Sequence, residues 1–507
     1  MPSRSLLSRC LGVGAVLATR LAFRSHLLYD LDSVNFALAM RRFDPASHQP
    51  HPPGYFLYIC AARLLRLLVP DANLALVVLS IAASCGAAWM IHRLTEEWYG
   101  SRSAMIALLL FLVSPLCWFH GIVALTYIVE AFFSALIGYL CWKVCTGNTR
   151  MLVPASVVFA VAAGFRPSSA LLLAPLWVYA IWHTPGRWRL TALIVSGAVM
   201  LGWFVPMAEM AGGLGTYFRS LTHLWFTVPG KRTSLASPAL AVARLLTIGW
   251  VFVLCFGSAS MLVFRRLGPS SDNAQKRRKF ICIWALPGLL FFALVFFNYI
   301  NSGYVLVLVP PLFAVLGARL RAFLDVEKHL MVRRVAVALG FLVNCGIFLF
   351  APVYCSYAGV RDFERGLPGV TAAFANHLDP ATTLLVAFDS HFQGYRHAGY
   401  YLPQFITVQY PEVQYYDGPR VFLMRNGDTA VVKRFPAGRF KRFVIFPLPA
   451  GESYVAYQQK ILAKLPRGAV TEIDLGRSTA VSGPISCLAL LFPSTADVPM
   501  QKATSPN

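Results

Sequence analysis

Residues 29–58 read YDLDSVNFALAMRRFDPASHQPHPPGYFLY, and the rest of the chain is organised around this stretch. Almost everywhere else in the first 356 residues the sequence is oily. Here two carboxylates, Asp30 and Asp32, follow directly on the first apolar segment, and a stiff His51-Pro52-Pro53-Gly54 turn comes further along. Proline fixes φ and glycine relieves the turn that follows, so this element sets the backbone direction of a loop that folds back on a membrane surface. Acids at such a boundary, with a rigid elbow behind them, point to a loop that does chemistry inside a cradle of membrane segments.

The bulk composition supports the cradle. Of 507 residues, 57% are hydrophobic and 13% charged, more apolar surface than a soluble protein can bury. The net charge of +23 does not indicate nucleic acid, because Lys and Arg sit mostly in short loops between apolar runs, as the positive-inside bias places them. The eleven cysteines form no CxxC pair, and most, such as Cys85, Cys117 and Cys255, read as small hydrophobes within apolar runs. Cys355 and Cys487 both fall in the tail and are a candidate pair if that tail is exported. Arg4 and Arg9 precede a short apolar core in the manner of a signal peptide. No small-x-small cleavage site follows, so the segment reads as an uncleaved first span.

Apolar runs of spanning length fall near 8–24, 73–92, 104–120, 123–143, 151–165, 168–182, 190–207, 241–264, 281–299, 303–318 and 335–354. They predict an α-helical polytopic membrane protein of about eleven transmembrane helices. Gly164-Phe165-Arg166-Pro167 is read as a break between two spans, since an arginine beside a proline is costly at mid-membrane and tolerable at an interface. With the N-terminus cytoplasmic, the inner loops collect most of the loop Lys and Arg, including Lys276–Lys279. The outer face then receives the Asp30/Asp32 loop, the Gly164–Pro167 turn and the 212–238 loop, with Lys231 and Arg232 as the exception to the bias. Residues 1–354 form the membrane domain, with 25–72 its first extracytoplasmic loop, and the tail 355–507 lies outside too.

That tail predicts a small C-terminal extracytoplasmic α/β domain. Short β-like runs occur at Thr383–Phe388, Phe405–Gln409, Arg420–Leu423, Phe443–Phe446, Val470–Ile473 and Cys487–Phe492, with a helix over Tyr454–Leu465. No internal repeat is present, which weighs against transporter folds built from inverted repeats.

Four side chains carry the chemical case. Asp30 and Asp32 have a bland reading as interfacial solvation. Glu130, near the outer end of the fourth span, is either a functional intramembrane acid or half of a helix-holding salt bridge. Arg166 brings a fixed positive charge to the same face, or is a snorkelling anchor. His51 and His120 read as satisfied structural histidines.

In order and sidedness these residues resemble the GT-C-fold membrane glycosyltransferases, specifically the group of aminoarabinose transferases and protein O-mannosyltransferases. Asp32-Ser33-Val34-Asn35-Phe36 matches the family's Asp-Glu-x-x-Tyr motif, and His51-Pro52-Pro53-Gly54 its Lys/His-Pro-Pro-Leu element. Glu130 falls at the second acidic position and Arg166 at the basic residue that meets the donor phosphate. The run from Gly303 to Pro311, with Tyr304, Pro310 and Pro311, resembles the Tyr-x-x-Pro-x-x-Pro helix. Ser33 departs from the acidic second position, so a divalent metal stays open.

The resemblance implies transfer of a sugar from a polyprenyl-phosphate donor to an acceptor hydroxyl on the non-cytoplasmic face, with inversion. The acceptor is a lipid, protein or glycan. An acceptor hydroxyl needs a positioned base, for which Asp32 is the candidate, with Asp30 and Glu130 orienting the acceptor or sharing the proton. The departing phosphate wants fixed cations: Arg166 first, then Arg219, Lys231 and Arg232. The expected location is a bacterial inner membrane. Two rival classes are a transporter or flippase of a lipid-linked or anionic solute and a non-catalytic assembly factor.

Overall fold

The structure is a computed structural model that describes residues 4–227, 238–262, 272–297, 302–415, 417–448, 459, 462–466, 468–475 and 479–497. In chain order the first helices are α1 (Arg4–Ala22), α2 (Leu31–Arg41), α3 (Phe56–Arg66), α4 (Ala72–Tyr99), α5 (Ser101–Leu112) and α6 (Pro115–His120). Next come α7 (Tyr127–Cys145), α8 (Leu152–Phe165), α9 (Ser168–Trp182), α10 (Gly186–Met210), α11 (Leu214–Thr227) and α12 (Pro238–Phe256). Then follow α13 (Asp272–Leu294), α14 (Val309–Leu324), α15 (Leu330–Phe350), α16 (Tyr357–His377) and α17 (Tyr395–Tyr401).

Among the described residues each of the eleven apolar runs falls on one or two of these helices. Among the described residues six are long and apolar enough to cross a membrane: Ser5–Ala22, Ala72–Tyr99, Tyr127–Cys145, Gly186–Met210, Ala239–Phe256 and Leu330–Phe350. The chain is a multi-pass membrane protein. The run at 104–120 is two helices, because Ser114 ends α5 and caps α6, its side chain accepting from the Cys117 N–H, with Pro115 at the first helical position. The break at Gly164–Pro167 is present: α8 stops at Phe165 and α9 begins at Ser168.

Two compact units emerge. The first comprises residues 1–25, 55–214 and 224–360; the second comprises 26–54, 215–223 and 361–507. In the first, α4 packs against α1, α5, α7 and α14, and α8 against α7, α9 and α10. Close helix approach depends on small residues in places. A Cβ at Gly138 of α7 would run into the ring of Trp284, which is wholly buried and donates from Nε1 to Ser134 Oγ at 2.9 Å. Gly138→Ala should therefore destabilise the bundle by about 1–3 kcal/mol through overpacking, read as a lower melting point in detergent.

The second unit holds the strands β1 (Thr383–Phe388), β2 (Ile406–Tyr410), β3 (Val413–Tyr415), β4 (Gly418–Arg425), β5 (Asp428–Val432), β6 (Phe435–Pro436), β7 (Arg442–Ile445), β8 (Thr471–Asp474), β9 (Thr479–Pro484) and β10 (Ala496–Asp497). The main sheet runs β3-β4-β2-β1-β7-β9-β8, with β5 beside β4. Its centre is parallel, β1 pairing with β2 and β7, and its flanks are antiparallel. The central strand β1, TLLVAF, is buried at every position, as expected of a parallel strand covered on both faces. Asn426 and Gly427, both at positive φ, turn β4 into β5, the residue pair favoured in tight hairpins.

Five of the six expected β runs are strands. The sixth, Cys487–Phe492, is not: a 3-10 turn ends at Cys487 and a short helix, α18, spans Leu488–Leu491. Pro484 closes β9, and Leu488, Leu491 and Phe492 are buried at helical rather than alternating spacing. Cys355 and Cys487 are free thiols, so the candidate bridge is not formed. Most of the helix expected over Tyr454–Leu465 lies outside the described residues.

Candidate active site

Asp30 and Asp32 open α2 in the second unit. Asp30 is its N-cap, accepting the Asp32 N–H at 2.8 Å, and Asp32 sits in the first turn. An N-terminal turn supplies free amide groups and a positive dipole end, both favourable to carboxylates. Asp30 is 4% exposed, whereas the Asp32 side chain retains 18% exposure. Asp32 Oδ1 lies 3.2 Å from His51 Nδ1, and Asn35 Nδ2 is 3.5 Å from the same oxygen.

The elbow carrying His51 is a closed turn. The Gly54 N–H donates to His51 O at 3.2 Å, Pro52–Pro53 is cis, and Gly54 takes a φ of 110 that its missing side chain permits. Tyr217 of α11 donates from its hydroxyl to Pro53 O at 3.1 Å.

Residues that sequence reasoning overlooked hold this loop. His391 Nδ1 lies 3.5 Å from Asp30 Oδ2, and its carbonyl accepts the Leu31 N–H at 2.8 Å. His397 donates from Nε2 to Leu28 O at 3.1 Å and accepts at Nδ1 from the Gly394 N–H, a pairing that selects the neutral Nε2–H tautomer. Burial pushes its pKa down to about 4, consistent with that neutral form. Arg396, fully buried, donates to Ser47 O at 2.9 Å and to the Thr429 hydroxyl. The signal was the polar run Asp389–His397, DSHFQGYRH, following directly on the apolar stretch Leu384–Phe388.

Two measurable consequences arise from this cap. Asp30→Ala should cost about 1 kcal/mol through loss of the N-cap, and Asp30→Ser should recover most of it; thermal melting separates them. Burial by itself lowers the His391 pKa, but the side chain of Asp30 and the charges of Asp30, Asp32 and Asp389 outweigh it and hold the group at about 9, against 6.5 in an unfolded chain. Protonated His391 thus favours the folded state. Its contribution should be complete below about pH 6.5 and lost as pH rises through about 9, and His391→Gln should flatten that slope in melting curves.

Glu130 and Arg166 belong to the first unit and meet there. Arg166 Nε donates to Glu130 Oε2 at 2.8 Å, with the two side chains 5% and 1% exposed. Both partners are further satisfied: Ser168 and Ser169 donate to Glu130 Oε1 at 2.9 and 3.1 Å, and Arg166 Nη1 donates to Thr126 Oγ1 at 2.6 Å. The guanidinium is also surrounded by tyrosine rings, with Cζ 4.3 Å from the centroid of Tyr127, 5.3 Å from Tyr304 and 5.8 Å from Tyr55. Glu130 is brought there by the first turn of α7, Arg166 by the break between α8 and α9, and Tyr304 by the 3-10 turn Ser302–Val307 preceding α14.

Beside this cluster His120 is 2% exposed with its ring 5.0 Å from that of Tyr127. Neither ring nitrogen has a hydrogen-bond partner among the described residues, so it is not the satisfied histidine expected. Of the secondary cations, Arg219 is exposed on α11 in the second unit, and Lys231 and Arg232 lie outside the described residues. Among the described residues no group of three or more His, Cys, Asp or Glu side chains is placed to hold a metal ion.

A long helical membrane bundle with a smaller α/β unit, an acidic first turn after the first span, and a buried acid–arginine pair make up a fold that is similar to those of solved integral-membrane glycosyltransferases. The particular likenesses are to ArnT from Cupriavidus metallidurans and an archaeal oligosaccharyltransferase. ArnT bound to undecaprenyl phosphate shares 12% identity and a TM-score of 0.54 over 95% of this chain and 97% of its own. Apo ArnT gives a TM-score of 0.51 at 12% identity, over 95% and 98%. The Archaeoglobus fulgidus oligosaccharyltransferase, in complex with Zn and sulfate, gives 0.52 at 13% identity over 86% of this chain and 67% of its own. No protein-family model and no curated protein matches the chain.

Proposed function

We propose that the chain is a glycosyltransferase that moves a sugar from a polyprenyl-phosphate donor to an acceptor hydroxyl at the outer face of a bacterial inner membrane. The main support is the fold shared over 95% of the chain with ArnT bound to undecaprenyl phosphate. In this reading the N-terminus is cytoplasmic, residues 1–354 form the catalytic membrane domain, and 355–507 are an outer-face domain.

Asp32 is the general base. It keeps partial exposure, stands on a helix terminus and faces His51 at 3.2 Å, so its carboxylate is positioned yet reachable. The acceptor oxygen forms a bond to the sugar anomeric carbon while the carbon–oxygen bond to phosphate breaks. The hydroxyl proton goes to Asp32, and the bonding pair leaves with polyprenyl phosphate. A single displacement inverts the anomeric centre. Asp30 holds Asp32 in place as the N-cap of its helix. Arg166 supplies the fixed charge for the departing phosphate, held in orientation by Glu130 and its serines. Glu130, already committed to Arg166, acts through that arginine rather than as a second base.

The test is transfer from an isotope-labelled polyprenyl-phosphate sugar by the purified protein, with the glycosidic product examined by NMR. An inverted anomeric configuration supports a single displacement. Retention would rule out the assignment of one carboxylate base.

A further inference from the structure

Within the second unit a cavity of about 310 Å³ lies apart from the Asp30–Asp32 turn. Three elements line it: the turn Pro45–His48, one face of α11, and the strands β3, β4 and β5. The α11 contribution is Thr216, Arg219, Ser220 and His223, spaced at i, i+3, i+4 and i+7 so that all four share one helix face. Tyr415 of β3 and Arg420 of β4 join them in the lining.

The charge of this lining is one-sided. It contains two arginines and no carboxylate. Two acids stand beside it: Asp44 accepts from Ser47 Oγ at 2.8 Å and pairs with Arg42 at 3.1 Å, and Asp417 accepts from Arg420 at 2.6 Å but also lies 3.0 Å from Lys433 Nζ, so each negative charge already has a cation. Arg420 is held with its Cζ 4.9 Å above the Tyr415 ring, and His223 stacks on that ring at 3.7 Å. Arg420 Nε is enclosed and has no hydrogen-bond partner among the described residues. A guanidinium fixed in orientation with a donor unsatisfied is suited to an oxyanion.

The remaining lining is polar and neutral. Burial, followed by the charges of Arg396 and nearby histidines, keeps His48 well below its ordinary pKa, and burial with Arg420 lowers that of His223. Both rings therefore offer hydrogen bonds rather than charge near neutral pH. Ser47, Thr216 and Ser220 add hydroxyl or backbone groups for a hydroxylated ligand. The volume sits at the small end of ligand pockets, enough for a monosaccharide-sized body and too small for a large amphiphile.

We propose that this cavity is a binding site for a small anionic saccharide, a sugar bearing one phosphate or carboxylate, with Arg219 and Arg420 taking the anion. Its lining contains neither Asp32 nor the Glu130–Arg166 pair, and Arg219, a second-rank cation for the departing phosphate on the sequence alone, is assigned to this site instead.

The probe is glucose 1-phosphate, titrated calorimetrically into the full-length protein in detergent, with glucose and inorganic phosphate as comparisons. Glucose 1-phosphate should bind more tightly than either, and Arg219→Gln or Arg420→Gln should each weaken it about tenfold or more while leaving the melting point in place. Asp32→Asn should bind it unchanged, so loss of transfer and loss of this site are separately visible. Nanodiscs doped with phosphatidic acid distinguish the source: competition assigns the site to a lipid-borne headgroup, and its absence to a soluble saccharide. Equal binding by wild type and both arginine variants, or no binding of glucose 1-phosphate, would overturn the proposal.

Discussion

Asp32→Asn is expected to lower the transfer rate by about 100- to 10,000-fold, the range typical of losing a positioned general base. The substitution is nearly isosteric and leaves Asp30 free to cap α2 through the same backbone N–H. The loss should therefore appear in kcat, with KM for the donor little changed and the melting point preserved, because an amide cannot take the acceptor proton. Asp30→Asn gives the contrast. Asparagine caps a helix nearly as well as aspartate, so a smaller loss is expected there. Comparable losses in both variants would mean that the two acids act as a unit and that Asp32 does not carry the proton alone.

Removing one half of the Glu130–Arg166 pair is expected to have the second large effect, this time on stability. Both charges are almost wholly enclosed, and each is the other's principal compensation. Breaking such a pair from one side leaves an uncompensated buried charge and typically costs about 3–5 kcal/mol. Glu130→Ala should show the full cost, since Arg166 stays charged and retains only neutral hydroxyl and ring partners. The double variant Glu130→Gln, Arg166→Met should recover much of the stability, because no buried charge then remains. It should not recover binding of undecaprenyl phosphate if Arg166 meets the donor phosphate. Recovery of both would reduce the pair to a device that holds α7 against the α8–α9 break.

The sequence made the helical bundle legible because membrane spans announce themselves by composition. The α8–α9 break was readable for a related reason: Arg166-Pro167 has few tolerable positions other than an interface. The sheet was harder. Leu384, Val386 and Phe388 mark β1 by continuous burial, but β9 was missed: its sequence, TAVSGP, mixes small polar residues, Gly and Pro with few apolar ones. Leu488 and Leu491 illustrate the opposite error, a short apolar run whose period cannot be read from so few residues.

The candidate site was legible as a set of residue types and not as a set of partners. Asp30 and Asp32 looked equivalent in sequence, yet one is an enclosed N-cap and the other an accessible acid on the same turn. That difference depends on which oxygen meets which backbone N–H. Glu130 was weighed as an acid or as a salt-bridge partner, and its contact with Arg166 joins residues too far apart in the chain for the sequence to show it. His391, Arg396 and His397 escaped notice because their meaning comes from the loop they grip, which lies far away in sequence.

The most direct measurement is release of polyprenyl phosphate from a panel of polyprenyl-phosphate sugars by the protein in lipid, wild type beside Asp32→Asn, with and without candidate acceptors. Glycosyl transfer predicts acceptor-dependent release by the wild type that the substitution removes. Translocation of an intact lipid-linked sugar across the bilayer, without release of carrier and insensitive to Asp32→Asn, would contradict it and identify a transporter.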